Sequence, residues 1–189
     1  MKSIEYLQSY NESFLLANDS IDSAKVSEIA SYILSLKNSD SIIYICGNGG
    51  SATTASHFAV DLGVGTSKHG LNLRVISLTD NSGAMSASAN DLDFSEVFSS
   101  QIRHLGRKKD VLILISASGN SKNLLRALEV ADELEIDTIS FTGFDGGKLK
   151  KRSKKNIHVE TPVGQYGIVE DLHMSICHRI TDLIRLGMK

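Results

Sequence analysis

Five short runs rich in apolar and β-branched residues punctuate the chain: SIIYIC (41–46), LRVISL (73–78), VLILIS (111–116), DTISFT (137–142) and NIHVE (156–160). Runs of this length and composition predict strands covered on both faces, and such strands belong to parallel sheets. Between them the period changes. In SKNLLRALEVADELE (121–135), Leu124, Leu125, Leu128, Ala131 and Leu134 fall on one face of a helix. Strand, helix and strand in repetition predict βαβ units with right-handed crossovers, hence a three-layer α/β/α sandwich on a five-stranded parallel sheet. Two helices precede it: SIEYLQSYNESFLLA, then one whose core face is marked by Val26, Ile29, Ile33 and Leu36. Pro162 ends the last strand, and GIVEDLHMSICHRITDLIRLGM forms a closing helix. One unit spanning 1–189 is expected, with a helical pair over 1–38 and an α/β core over 41–189.

Composition narrows the partners. Hydrophobic residues make up 41% and charged residues 22% of the 189 positions, and the formal charge of -2 gives no long-range pull on polyanions. The basic run KLKKRSKK (148–155) lacks interleaved aromatics and reads as a solvated face, so no nucleic-acid partner is expected. The opening MKSIEYLQSY has no apolar signal core, and no run approaches the roughly 18 apolar residues of a membrane span. A cytoplasmic protein without a membrane partner is the expectation. Cys46 and Cys177 sit in apolar periodic segments, where reduced, buried thiols are expected rather than a disulfide or a nucleophile.

Ligands of open parallel sheets sit beyond the carboxyl ends of the strands. There the chain is small and polar: GNGGS (47–51) follows the first strand and SASGNS (116–121) the third, each leading into a helix. Glycine admits an anion close to the backbone, serine supplies a hydroxyl donor, and a helix start offers free N–H groups. Either turn alone is an ordinary serine-capped junction. Two at equivalent junctions point to a phosphate. A dinucleotide is a poor fit: Gly47, Gly49 and Ala52 match G-x-G-x-x-G/A, but the first acidic partner, Asp80, lies well past the roughly 20 residues expected. No Walker lysine motif is present in the sequence. A single sugar phosphate fits better.

His57 and Asp61 follow the first cradle at a spacing of four, which places both on one helical face. Imidazole and carboxylate suit zinc, although an ordinary surface hydrogen-bonded pair has the same spacing.

CGNGGSATTASHFAVDL (46–62), ANDLDFSEVF (89–98), DVLILISASGNSKNLLRAL (110–128) and FTGFDGGKL (141–149), in that order, resemble the sugar isomerase (SIS) domain, specifically its phosphoheptose isomerase branch. The resemblance covers nearly the whole chain. It implies a flavodoxin-like fold and conversion of sedoheptulose 7-phosphate to D-glycero-D-manno-heptose 7-phosphate. It also implies that Ser116, Ser118 and Ser121, with the Ala117 amide, hold the phosphate, while Asn48, Gly49, Gly50 and Ser51 line the sugar. Asn90 and Asp91 match a pair that contacts sugar hydroxyls. The implied zinc ligands are His57, Asp61, Glu170 and His178, in a tetramer with sites at subunit interfaces.

Two of these positions depart from the family, which has Glu where Asp61 stands and Gln where Glu170 stands. The shorter acid either draws the reacting centre toward its helix or yields the role of base. Asp61 is read as that base with Glu170 as its rival, and His178 as acid or proton shuttle. His173 lies on a different face from His178 and is read as a histidine without chemistry. Eight residues of helix rise about 12 Å, so Glu170 and His178 of one chain cannot share an ion unless the helix begins after Glu170; otherwise the site draws on two chains. The alternative class is a non-catalytic phosphosugar sensor, or an adaptor such as the relative that binds the replication initiator DnaA. Retention of an acid or imidazole at all four positions favours the isomerase.

Overall fold

All five runs form strands, and every pairing between them is parallel. The computed structural model describes residues 2–187. Chain order is α1 (Ser3–Asp19), α2 (Ser23–Ser35), β1 (Ile42–Gly47), α3 (Gly50–Leu62), a short α4 (Val64–Ser67), β2 (Arg74–Ser77) and α5 (Ser82–Asp91). A 3-10 turn (Phe94–Glu96) then leads to α6 (Ser99–Leu105), β3 (Val111–Ser116), α7 (Lys122–Glu133), β4 (Asp137–Thr142), α8 (Gly147–Arg152), β5 (Lys155–His158) and α9 (Tyr166–Leu186).

Alternation along the strands builds two cores. Ile43, Ile45, Ile113, Ile115, Ile139 and Phe141 point to one face, where they join Val26, Ile29 and Ile33 of α2, Phe58 of α3 and Leu172, Ile176 and Ile180 of α9. Tyr44, Cys46, Leu112 and Leu114 point to the other, against Ile102 of α6, Leu124, Ala127 and Leu128 of α7 and Leu149 of α8. Each fully buried aliphatic side chain contributes about 1.5–3 kcal/mol. Both cysteines are free and buried, and burial pushes their thiols well above the usual range.

The expectation of cover on both faces fails at β2. Its Arg74 and Ile76 are exposed, because β2 is a four-residue edge strand and no helix packs over the outer part of its second face. Helix α5 buries no residue, which is why it leaves no apolar period in the sequence. Helix α1 buries only Ala17 and turns Ile4, Leu7, Leu15 and Leu16 outward. Three of the six cations in the basic run are paired: Arg152 meets Glu129 and Asp132, Lys154 meets Asp137, and Lys155 meets Glu28.

Strand order is β2-β1-β3-β4-β5. The chain leaves β1 toward β2 on one side, then returns to place β3 on the other, so a crevice opens between the carboxyl ends of β1 and β3. Both glycine- and serine-rich turns lie at that crevice.

Candidate active site

The turn after β1 enters α3 through Gly49, whose φ of 54° and ψ of -124° suit glycine alone. The turn after β3 enters α7 at Ser121, and neither Gly49 nor Ser121 caps its helix with a side chain. The first amides of both helices are therefore left for a ligand, with the positive ends of two helix dipoles behind them. Ser116 Oγ accepts from the Gly119 amide at 3.1 Å and Ser118 Oγ from the Asn120 amide at 3.3 Å, which holds the serine turn in shape. Asn48 and Asn123 exchange two amide hydrogen bonds of 2.8 and 2.9 Å, tying one turn to the other. Asn123 was not singled out from the sequence; its polar side chain at a buried helix position was the signal available.

Asn48, Ser51, Ser116, Ala117, Ser118 and Ser121 line one cavity of about 140 Å³, together with Ile115, Tyr166 and Glu170. No Lys or Arg stands in that wall. An anion placed here would meet neutral hydroxyl and amide donors.

The loop after β4 braces the serine turn from outside. Gly119, at φ +62°, has no room for a side chain, because a Cβ would stand 2.0 Å from the Gly146 carbonyl oxygen. Gly147, at φ +53°, packs on the Ser118 carbonyl, where a Cβ would stand 2.4 Å from the oxygen. Asn120 Oδ1 accepts from the Lys148 amide at 3.1 Å, and the Leu149 amide donates to Gly119 at 3.0 Å. Phe144, in the same loop, holds a left-handed φ of 53°, which costs a side-chain-bearing residue about 1–2 kcal/mol. Its ring is buried with Ala117 and Val169 and meets Tyr166 edge to face, centroids 5.0 Å apart.

Helices α3 and α9 run side by side in the same direction, with Gly50 against Glu170 and His57 against His178. A Cβ on Gly50 would lie 2.2 Å from Glu170 Oε2, so that glycine makes room for the carboxylate at the start of α3. Two turns further along, three donors converge. His57 Nε2 lies 2.9 Å from His178 Nε2 and 3.2 Å from Asp61 Oδ2, and His178 Nε2 lies 3.9 Å from the same oxygen. Donors bound tetrahedrally at about 2.0–2.2 Å stand roughly 3.3–3.5 Å apart, so the trio has the spacing and the chemistry of a metal group. The side chains of His57 and His178 are 45% and 53% exposed.

Of the residues singled out from the sequence, the structure brings Asn48, Ser51, Ser116, Ala117, Ser118, Ser121 and Glu170 to the cavity, with Gly49 and Gly50 framing the start of α3. It brings His57, Asp61 and His178 to the second cluster. Glu170 is not in that cluster. Helix α9 begins at Tyr166, ahead of Glu170, which removes the possibility that a later helix start lets Glu170 and His178 share an ion within one chain. Asn90 and Asp91 lie exposed at the end of α5, bonded to each other at 2.8 Å, and make no hydrogen bond to the cavity residues described. His173 is buried, away from the cluster, and burial lowers it to about 4. Cys177 is held protonated by burial and by the nearby Asp61 carboxylate.

Comparison with known proteins identifies the family. The SIS domain family model matches residues 5–143. The chain is 43% identical over 155 residues to a Helicobacter pylori phosphoheptose isomerase, covering 80% of this chain and 78% of the relative. Phosphoheptose isomerase GmhA from Neisseria gonorrhoeae superposes with a TM-score of 0.83 at 33% identity, covering 95% of this chain and 97% of that one. A phosphoheptose isomerase from Francisella tularensis superposes with a TM-score of 0.86 at 29% identity, covering 98% and 100%. The chain therefore belongs to the SIS domain family, in its phosphoheptose isomerase branch.

Proposed function

We propose that this chain isomerises sedoheptulose 7-phosphate to D-glycero-D-manno-heptose 7-phosphate, an intramolecular oxidation and reduction between adjacent carbons. The carrying observation is the layout of α3 and α9. A cation-free phosphate cradle stands at their starts, and an acid with two imidazoles stands 7 to 8 residues further on. That interval is about 10–12 Å of helix, which leaves room for an extended sugar phosphate between cradle and acid.

In this reading the serine turn and the free amides of α3 and α7 anchor the phosphate. Their binding energy fixes C1 and C2 beside the second cluster. Asp61 is the base. Its Oδ2 faces both imidazoles, leaving Oδ1 to take the proton from C1 of the ketose and return it to C2 through the enediol. His178 moves the hydroxyl proton from O1 to O2, so the atoms balance with no outside reductant. Glu170, at the cradle end, stands beside the phosphate-bearing half of the substrate. His57 and Asp61, with His178 when it is not the proton carrier, would hold zinc, which when bound would polarise the carbonyl oxygen. The openness of the two imidazoles and the outward apolar face of α1 support a tetramer that closes each site with a neighbouring chain, which also brings Asn90 and Asp91 into play. Free buried thiols, and no described helix long and apolar enough to cross a membrane, are consistent with a cytoplasmic enzyme of carbohydrate metabolism.

The test is incubation of the purified protein with sedoheptulose 7-phosphate, with and without zinc, following aldose formation by NMR. Asp61→Asn and His178→Ala are expected to lower kcat by at least 100-fold, and Glu170→Gln by much less. Sugar phosphate bound without turnover under any metal condition would replace the isomerase by a sensor or adaptor.

A further inference from the structure

The cavity wall holds one hydroxyl donor that neither the fold nor the chemistry above has used. Tyr166 opens α9, one turn before Glu170, and borders the cavity beside the three serines. It is 54% exposed, and its hydroxyl makes no hydrogen bond to any described residue. Its ring is nonetheless held in place. Phe144, only 7% exposed, meets it at an interplanar angle of 86°, and does so from a left-handed backbone position. The neighbouring loop residues Gly143, Gly146 and Gly147 show that glycine is freely used there, and glycine at 144 would remove the strain. A strained phenylalanine kept in its place buttresses something. What it buttresses is the ring of Tyr166, which borders the cavity.

The electrostatics of the wall say what such a ring does. Among the described residues the only charged one lining the cavity is Glu170, which is negative, so within this chain a phosphate dianion meets neutral donors. Under that condition each additional hydroxyl counts, because hydrogen bonds to a charged group are the strong ones. A phenol hydroxyl is a hydrogen-bond donor. We infer that Tyr166 is a substrate-binding residue that donates its hydroxyl to a phosphate oxygen of the bound sugar phosphate, and that Phe144 positions it. This rests on the phosphosugar reading of the cavity, not on turnover.

Binding and turnover are therefore measured separately. Inorganic phosphate is titrated calorimetrically into the wild-type protein, Tyr166→Phe, Tyr166→Ala and Phe144→Leu, and sedoheptulose 7-phosphate kinetics are recorded on the same preparations with unchanged melting curves. Tyr166→Phe is expected to weaken phosphate about tenfold and raise KM by the same factor, with kcat within twofold. Tyr166→Ala loses more, and Phe144→Leu shifts both constants in the same direction by less. Phosphate affinity equal to wild type in Tyr166→Phe overturns the proposal, as does a fall in kcat at constant KM. A wild-type protein that binds phosphate but turns nothing over removes the isomerase reading and leaves Tyr166 decided by the calorimetry alone.

Discussion

Two histidines five residues apart on α9 meet opposite surroundings. His178 opens to solvent beside His57, whereas His173 is 1% exposed, packed near Phe141, and neither ring nitrogen finds a well-formed hydrogen bond. Burial disfavours its cation and lowers it to about 4. The unfolded chain takes up a proton near pH 6.5 and the folded chain only near pH 4, so between those values the unfolded state binds more protons. His173 therefore leaves stability intact above about pH 6.5 and removes roughly 1.4 kcal/mol per unit as the pH falls toward 4. Urea unfolding at pH 7 and pH 5 should show a loss of about 2 kcal/mol from His173 that is missing in His173→Leu, leaving the smaller share of His158, which burial also lowers. An equal loss in both proteins would place the acid sensitivity elsewhere. Much of the residue scale was legible: the three serines, the first cradle and the His57–Asp61 spacing all carry their chemistry in adjacent letters. Tyr166 and Asn123 were not, since each acquires meaning only from a partner far away in sequence, Phe144 or Asn48.

At the scale of elements, the cradle is a sandwich of two loops rather than one. The turn after β3 takes its shape from the turn after β4, with Gly119 and Gly147 pressed backbone to backbone against Gly146 and Ser118. Gly119→Ala combines a left-handed strain of about 1–2 kcal/mol with a clash against main chain that cannot rotate away. It should lower the melting temperature and weaken phosphate binding together, measured by calorimetry. Loss of stability with phosphate affinity intact would mean that the two loops are independent. Strands and the amphipathic helices α2, α7 and α9 were readable from periodicity because each buries a face in a core. Helix α5 was not, having no face to bury, and the exposure of β2 follows from its place at the edge, which no single run of letters records.

For the whole molecule, the unburied stripe of α1 and the open imidazoles make one expectation. If neighbouring chains close the sites, Leu7→Glu with Leu16→Glu should yield monomers by analytical ultracentrifugation and reduce turnover, because solvent then reaches the reacting carbons. Unchanged mass, or monomers of full activity, would separate assembly from function. The metal group adds a consequence in time. His57 and His178 are separated by 121 residues. At about 5–20 residues per second, a ribosome takes roughly 6 to 24 s to pass from one to the other. During that interval the nascent chain offers an ion only an imidazole and a carboxylate on one exposed helix. If the trio holds an ion, its capture is completed only once α9 has been made, and metal supply would then act after synthesis rather than during it.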